Sequence, residues 1–395
     1  MNFDEILNPE IQKFIIDNTG LDTSKLALKR NPFINTDFKI ILNQIESRSK
    51  AKDKLHTWFN SKNIIYPNKI SIEQTSSEAT AKYKSEIVSG DNLIDLTGGF
   101  GIDDYYFSKK INKIIHCEIN QNLSEIVSHN FTQLNSLNIK CIHGDSAETL
   151  KKINQRFSWI YIDPSRRNDA KGKVFMLKDC LPNVPDLQDT YFEYSDNILI
   201  KTAPILDISA GLQELKNVKQ IHIVAVENEV KEILWIIEKD YNGEILIKTV
   251  NFTKQKKEVF DFNMNSESEV NYGFPKKYLY EPNSAIMKSG GFNQISDSFS
   301  VDKLHKNSHL YTSDNLIDFP GRTFHIEKIL SYSKKDMAEN FTNQKMNITT
   351  RNFPDSVETI RKKWKIKDGG NQYCFFTTDK NENKIVLICT KINFK

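Results

Sequence analysis

Apolar positions along the chain fall into two rhythms. From about residue 92 to residue 250, short apolar runs alternate with longer segments of helical period. The runs at 93–96, 113–118, 139–142, 157–162, 197–203, 220–226 and 244–250 read as strands. Between them, 121–135 carries Leu123, Ile126, Val127, Phe131 and Leu134 on one stripe, the mark of an amphipathic helix. Short helices are expected at 208–215 and around 230–237. Strands alternating with helices imply a parallel sheet covered on both faces. Residues 1 to about 70 read as helical, with Asn8-Pro9 as a start signal and Ile11, Phe14 and Ile15 at helical spacing. Beyond about residue 253 the alternation stops. Strand-like runs at 372–377 and 384–390 with a helix around 357–363 predict a small α+β appendage.

The stretch from Asn92 to Asp104 is the most informative. Its strand runs into Gly98, Gly99 and Gly101 and then into a helical pattern. A strand–glycine turn–helix unit lets a ligand lie against bare backbone at a helix N-terminus. Asp95 ends the strand, in the crevice where open α/β sheets bind ligands. No Gly-Lys-Ser/Thr follows, so this is not a P-loop. A dinucleotide fingerprint starting at Gly99 and Gly101 would need a third glycine where Asp104 stands. The segment instead resembles motif I of the class I S-adenosylmethionine (SAM) methyltransferases, with Thr97 at the usual first glycine and Gly98 added. That resemblance implies cofactor contacts from Asp95, Thr97, Gly98, Gly99, Phe100 and Gly101. A purely structural glycine turn is the alternative.

The next strand ends in Glu118, about 20 residues beyond Asp95, the spacing at which an acid bonds ribose hydroxyls in a nucleotide-binding βαβ unit. In the methyltransferases this acid takes both hydroxyls, and the following residue, here Ile119, packs on adenine. Asp145 and Ser146 follow the third strand. Asp145 suits the adenine edge by the same resemblance and equally suits a helix N-cap. Ser76, Ser77 and Lys84 lie where many such enzymes fold a segment over the cofactor's methionine end, although helix capping also accounts for Ser77 and Thr80.

The fourth strand ends in Asp163-Pro164-Ser165-Arg166-Arg167. Asp163-Pro164 resembles motif IV, one wall of the substrate mouth. Enzymes that methylate exocyclic amines of bases carry Asp/Asn-Pro-Pro-aromatic there. Ser165 and Arg166 replace the last two. Asp163 is the candidate catalytic residue, able to orient an amine or accept its proton. Arg166 and Arg167 suit bidentate oxyanion contacts or surface salt bridges. A C5-pyrimidine route would need a thiol nucleophile, and Cys180 is the cysteine nearest in sequence.

Net charge is +3, but residues 321–395 hold 15 Lys plus Arg against 8 Asp plus Glu, so that segment carries +7 and the remainder −4. Arg361, Lys362, Lys363 and Trp364 concentrate this charge around an aromatic ring, the pattern of a phosphate-tracking surface or of a solvated helix face. Five scattered cysteines form no C-x-x-C pair, and His305 and His309 lack an H-E-x-x-H acid, so no metal site is read. No apolar run approaches the roughly 18 residues of a membrane span, and the first residues show no signal segment, so a cytoplasmic protein is expected.

As a whole the chain resembles a bacterial family of class I SAM-dependent methyltransferases with a ferredoxin-like insert and a C-terminal THUMP-like domain. Residues 73–84, 95–103, 163–167, 281–286, 319–322 and 351–356 carry the resemblance. It implies an α/β, Rossmann-like, seven-stranded class I methyltransferase sheet over 73–252, preceded by a helical domain over 1–72. A ferredoxin-like domain over 253–320 and a THUMP-like domain over 321–395 form the α+β part. It also implies SAM as cofactor, and RNA, tRNA or rRNA, as partner. A small-molecule methyltransferase and a non-catalytic RNA-binding protein with a vestigial SAM fold are the rival readings. The oligomeric state is not legible.

Overall fold

The structure is a computed structural model that describes residues 3–33, 36–166 and 176–393. The chain divides into two compact units, residues 1–219 with 234–242, and residues 220–233 with 243–395.

In the first unit five parallel strands form the scaffold: β1 Asn92–Asp95, β2 Lys113–Glu118, β3 Ile139–His143, β4 Trp159–Ile162 and β5 Asn197–Thr202. Their order is β5-β4-β1-β2-β3. Connections from β1 run one way to β2 and β3, then back to β4 and β5. The crevice where direction reverses lies at the tips of β1 and β4, the usual ligand position of an open α/β sheet. Leu93, Ile94, Ile160, Ile162, Ile198, Leu199 and Ile200 are fully buried. A central parallel strand is covered on both faces, so these strands appear as unbroken apolar runs.

Helices of this unit include α1 Pro9–Asp17, α2 Phe38–Ala51, α3 Glu78–Ser85, α4 Ile102–Phe107, α5 Gln121–Gln133, α6 Ser146–Ile153, α7 Val184–Tyr194 and α8 Ile208–Glu214. Ser77, Asn120 and Asp145 cap α3, α5 and α6 by accepting amides of the first turn. The N-terminal segment packs against the glycine turn. Trp58, Tyr66, Phe100, Ile102, Val127 and Phe131 share one core. Asn130 of α5 takes the Ile65 amide at 2.9 Å and returns a bond to its carbonyl at 2.8 Å.

The helix expected around 230–237 is a strand. β6 Val218–Val226 and β7 Glu229–Glu238 form a hairpin that turns on Glu227 and Asn228, both at positive φ. Every residue from Glu232 to Ile237 is buried. A short, wholly buried strand and a buried helical turn share the same apolar run, and the β-branched and aromatic content of Val230, Ile233, Trp235, Ile236 and Ile237 should have favoured the strand. The hairpin near the end of the sheet, usual in class I methyltransferases, is therefore present.

In the second unit, β8 Leu246–Phe252 runs parallel to β6, and β9 Lys257–Asn263 returns antiparallel. A separate sheet holds β10 Tyr278–Pro282, β11 Tyr311–Ser313, β12 Gly321–Ser331, β13 Asn347–Thr350, β14 Gln372–Thr378 and β15 Lys384–Ile392. Its order is β11-β10-β12-β15-β14-β13, with Asp302–Lys303 added beside β11. Helix α9, Val357–Trp364, buries Ile360 against a core containing Met337, Phe341 and Phe376. Among the described residues no helix is long and apolar enough to cross a membrane.

Candidate active site

The glycine turn is shaped by what lies beneath it. A Cβ on Gly98 would fall 2.1 Å from the His116 imidazole, and one on Gly101 would meet Phe131 at 2.5 Å. Gly101 also has φ +74, a conformation side chains disfavour. Gly99 differs: at φ +56, its missing Cβ would meet nothing closer than the Thr97 carbonyl at 3.7 Å. Its face is open, and its amide donates to Glu118 Oε2 at 3.0 Å. Glu118 Oε1 accepts the Asn120 amide at 2.7 Å. The carboxylate is thus aimed by two backbone donors and keeps further lone pairs. Beside it Ile119 is 72% exposed, an apolar platform without a partner surface.

Asp95 lies below the turn, buried, and accepts from the Thr97 amide at 2.7 Å and from Thr97 Oγ1 at 3.1 Å. Thr97 Oγ1 in turn accepts the Asp163 amide at 2.7 Å. Asp95 therefore organises the turn and ties motif I to motif IV. The sequence carries no spaced metal motif, yet the fold gathers Asp95, Asp104 and His116, whose ligand-type atoms lie within 4.8 Å of one another. His116 Nδ1 and Asp104 Oδ2 are 2.6 Å apart and fully buried. Burial, then the charge of Asp104, pushes the Asp95 carboxyl well above its usual range, and burial, then Asp103, does the same to Asp104. Burial also holds His116 towards its neutral form. Burial thus holds both carboxyls towards their neutral forms, so the cluster avoids two bare charges.

A second network sits at the tips of β1, β4 and β5. Lys84, wholly buried, lies 3.1 Å from Asp103 Oδ1 and donates to Ser76 Oγ at 3.0 Å. Ser76 Oγ and Tyr161 OH donate to Asp103 Oδ2 at 2.9 and 2.7 Å. Burial raises the Asp103 pKa, but Lys84, Lys201 and the Tyr161 bond outweigh it, and the carboxyl is held below its usual value. Ser77 caps α3, and Glu78 takes the Thr57 amide and the Tyr106 hydroxyl.

Asp163 follows β4 and is bonded through Oδ2 to the ammonium of Lys201 on β5. Its Oδ1 has no hydrogen bond among the described residues. Pro164 and Ser165 follow, and Ser165-Arg166 pairs antiparallel with Cys180-Leu181. Cys180 is thus brought opposite Arg166 in the ladder, close to motif IV. Arg167 and the Arg166 side chain lie outside the described residues. Asp145 is exposed and accepts the Ala147 and Glu148 amides at 2.9 and 3.1 Å, and Ser146 begins α6. Phe100 points into the core rather than into the crevice.

In the second unit the basic segment is not uniform. Arg361 is bonded to Asp368 at 2.5 Å and to the Met346 carbonyl at 3.3 Å. Trp364 packs on the core, whereas Lys362 and Lys363 are exposed.

A protein from Porphyromonas gingivalis W83, described as a candidate methyltransferase, has a crystal structure that matches this chain with TM-score 0.88 and 30% identity over 99% of both chains. Residues 278–320 match the family model of a ferredoxin-like domain, and residues 321–391 match that of a THUMP domain-like family. The chain belongs to this family of bacterial class I methyltransferases with ferredoxin-like and THUMP-like domains. No curated protein sequence matches it. Two further solved structures match part of the chain. An rRNA methylase from Streptococcus thermophilus matches with TM-score 0.30 and 12% identity over 41% of this chain and 94% of its own. M. capricolum TrmK with S-adenosyl-homocysteine matches with TM-score 0.32 and 13% identity over 41% and 68%.

Four residues of the candidate site escaped the sequence reading: Asp103, Asp104, His116 and Lys201. Two acids in the first turn of α4, one residue beyond the glycine turn, were a signal, because that turn of helix borders the crevice. Lys201 follows three apolar residues of β5, and a lone lysine near a strand tip carries no signal until its partner is known.

Proposed function

We propose that this protein transfers a methyl group from SAM to a base of RNA, with Asp163 as the catalytic residue. The observation that carries this reading is the Gly98–Gly101 turn: an open Gly99 face beside an aimed carboxylate, Glu118, and an unpartnered apolar platform, Ile119. A cradle that a Cβ at Gly98 or Gly101 could form only by displacing its floor fits a ligand lying on backbone. Glu118 would take ribose hydroxyls, Ile119 an adenine face, and Asp145 and Ser146 the adenine edge. The Thr97–Gly101 backbone, with Ser76 and Lys84 behind it, would hold the methionine end.

When bound, SAM supplies an electrophilic methyl group on a sulfonium. The chain's own part is positioning and proton handling. Lys201 holds Asp163 Oδ2, leaving Oδ1 directed by a fixed carboxyl plane. From there it accepts a hydrogen bond from a base amine and takes the proton that leaves as the amine is alkylated. Pro164 fixes the wall beside it. Ser165 continues that wall, and Arg166 and Arg167, the next residues in sequence, have the chemistry that suits a flanking phosphate.

The THUMP-like match over 321–391 and the +7 charge of residues 321–395 support RNA over a small molecule. The exposed Lys362 and Lys363 would track phosphates, whereas Arg361 is engaged by Asp368 and Trp364 by the core. The test is isothermal titration with SAM, then tritium transfer from labelled SAM to fractionated tRNA and rRNA. Binding and transfer are expected, with Asp163→Ala losing roughly 10²- to 10⁴-fold in rate while still binding SAM. Equal labelling by that variant removes Asp163 from catalysis. No SAM binding rejects the enzyme, and SAM binding without RNA labelling rejects the substrate.

A further inference from the structure

Three stretches distant in sequence meet at one buried acid in the second unit. Glu281 of β10 has its side chain 3% exposed. Arg322, at the start of β12, donates Nε to Glu281 Oε2 at 2.6 Å, and Arg351, just after β13, donates Nη2 to Oε1 at 2.8 Å. The geometry was bought at the cost of a side chain: a Cβ on Gly321 would fall 2.2 Å from the Glu281 carbonyl oxygen. Glycine lets β12 approach closely enough for Arg322 to reach the acid.

One carboxylate against two guanidiniums leaves a positive surplus. Among the described residues no second carboxylate bonds either arginine. The nearby histidines do not change the sign of the surplus. His305 Nδ1 accepts the Asn307 amide at 3.1 Å and faces the Asn352 amide group at 2.9 Å, so its Nε2 carries the proton shared with Glu382. His309 is held down at about 4 by burial, with Lys303 and Arg351 adding to it. Lys303 is itself buried, with Asn293 Oδ1 at 3.0 Å.

Both arginine side chains remain 35% exposed while their orientation is fixed from behind, and Arg351 Nε is a buried donor with no partner among the described residues. A guanidinium has five donors. Arg322 spends two nitrogens on Glu281 and Arg351 one. A pre-set pair of forks with spare donors and a net positive charge matches a phosphate, whose oxygens accept in bidentate fashion. We propose that Arg322 and Arg351, held by Glu281, grip a backbone phosphate of the RNA substrate. This rests on the RNA reading above and adds the place where the strand is anchored. Such a contact positions the RNA and carries no sequence information.

The test uses the full-length protein and fluorescently labelled bulk tRNA across a salt titration. Arg322→Gln and Arg351→Gln are each expected to weaken binding about 10-fold, the loss of one charge-assisted contact. The slope of log affinity against log salt should fall by about 0.7–0.9 for each arginine. Arg322→Lys keeps the charge but loses the fork, and should keep the slope while losing affinity. SAM binding should be unchanged in all three. A second measurement needs no variant: bound tRNA should protect Arg322 and Arg351 of the wild-type protein from phenylglyoxal, read by mass spectrometry. Labelling unprotected by bound tRNA overturns the site, as do folded variants with unaltered affinity and slope. A wild-type protein that binds no RNA overturns the RNA substrate as well, and the two failures are told apart by that control.

Discussion

Gly99 donates its amide to Glu118 Oε2 at 3.0 Å. The tip of β2 and the turn after β1 are therefore fixed to each other before any ligand arrives. Glu118→Ala is expected to weaken SAM binding roughly 10- to 100-fold, the worth of one or two hydrogen bonds to a charged acceptor. Isothermal titration measures it. An unchanged Kd would remove Glu118 from the ribose role.

Gly98 lies over the His116 ring, and its added Cβ would stand 2.1 Å from it. His116 cannot move aside cheaply, because its Nδ1 is bonded to buried Asp104. Gly98→Ala is expected to cost about 1–3 kcal/mol, the usual penalty of overpacking. Gly99→Ala should cost less through sterics, its conformational strain remaining. Urea denaturation of both variants checks the order, and a Gly98→Ala protein as stable as wild type would contradict the contact.

Lys84 is buried whole beside Asp103. Lys84→Met should destabilise by about 3–5 kcal/mol, because it strands a buried carboxylate. Lys84→Met with Asp103→Asn should recover much of that loss, since the uncompensated charge is gone. A double variant no more stable than the single one would show that the pair is not the unit that matters.

The acids of motif I respond to pH in opposite senses. Asp103 is lowered on folding, so its contribution is full above its unfolded value near 3.9 and is lost as pH falls through the folded value. Asp95 and Asp104 are raised on folding. Their contribution is full below about 3.9 and is lost as pH rises towards the folded values. Asp104→Asn should therefore gain stability relative to wild type as pH rises, with the gain larger near pH 8 than near pH 5. Denaturation curves at the two values test it, and a gain that shrinks with pH would reverse the assignment.

The sheet was legible because its strands are buried on both faces and end in chemistry: Asp95, Glu118 and Asp163 each close an apolar run. The same property misled the reading at β7, where unbroken burial from Glu232 to Ile237 erased the alternation that separates strand from helix. In the site, glycine spacing disclosed the turn but not its floor. His116 read as one residue in an apolar strand, and only the β1–β2 register, which sets Asp95 opposite His116, shows why Gly98 has no side chain. The stretches holding Glu281, Arg322 and Arg351 stood out only as motifs of the resemblance, and their meeting could not be read, because Glu281 faces Arg322 through strand register and Arg351 reaches it only by a side-chain contact across 70 residues.

The floor of motif I also bears on turnover. Burial holds Asp95 and Asp104 towards their neutral forms, and Asp103 is paired with Lys84, so the three acids present little net negative charge to a ligand resting above them. A sulfonium and the uncharged thioether left after reaction would then be held by nearly the same forces. On the proposed SAM reading, spent cofactor should compete on equal terms with fresh, and turnover would follow how quickly that by-product is cleared.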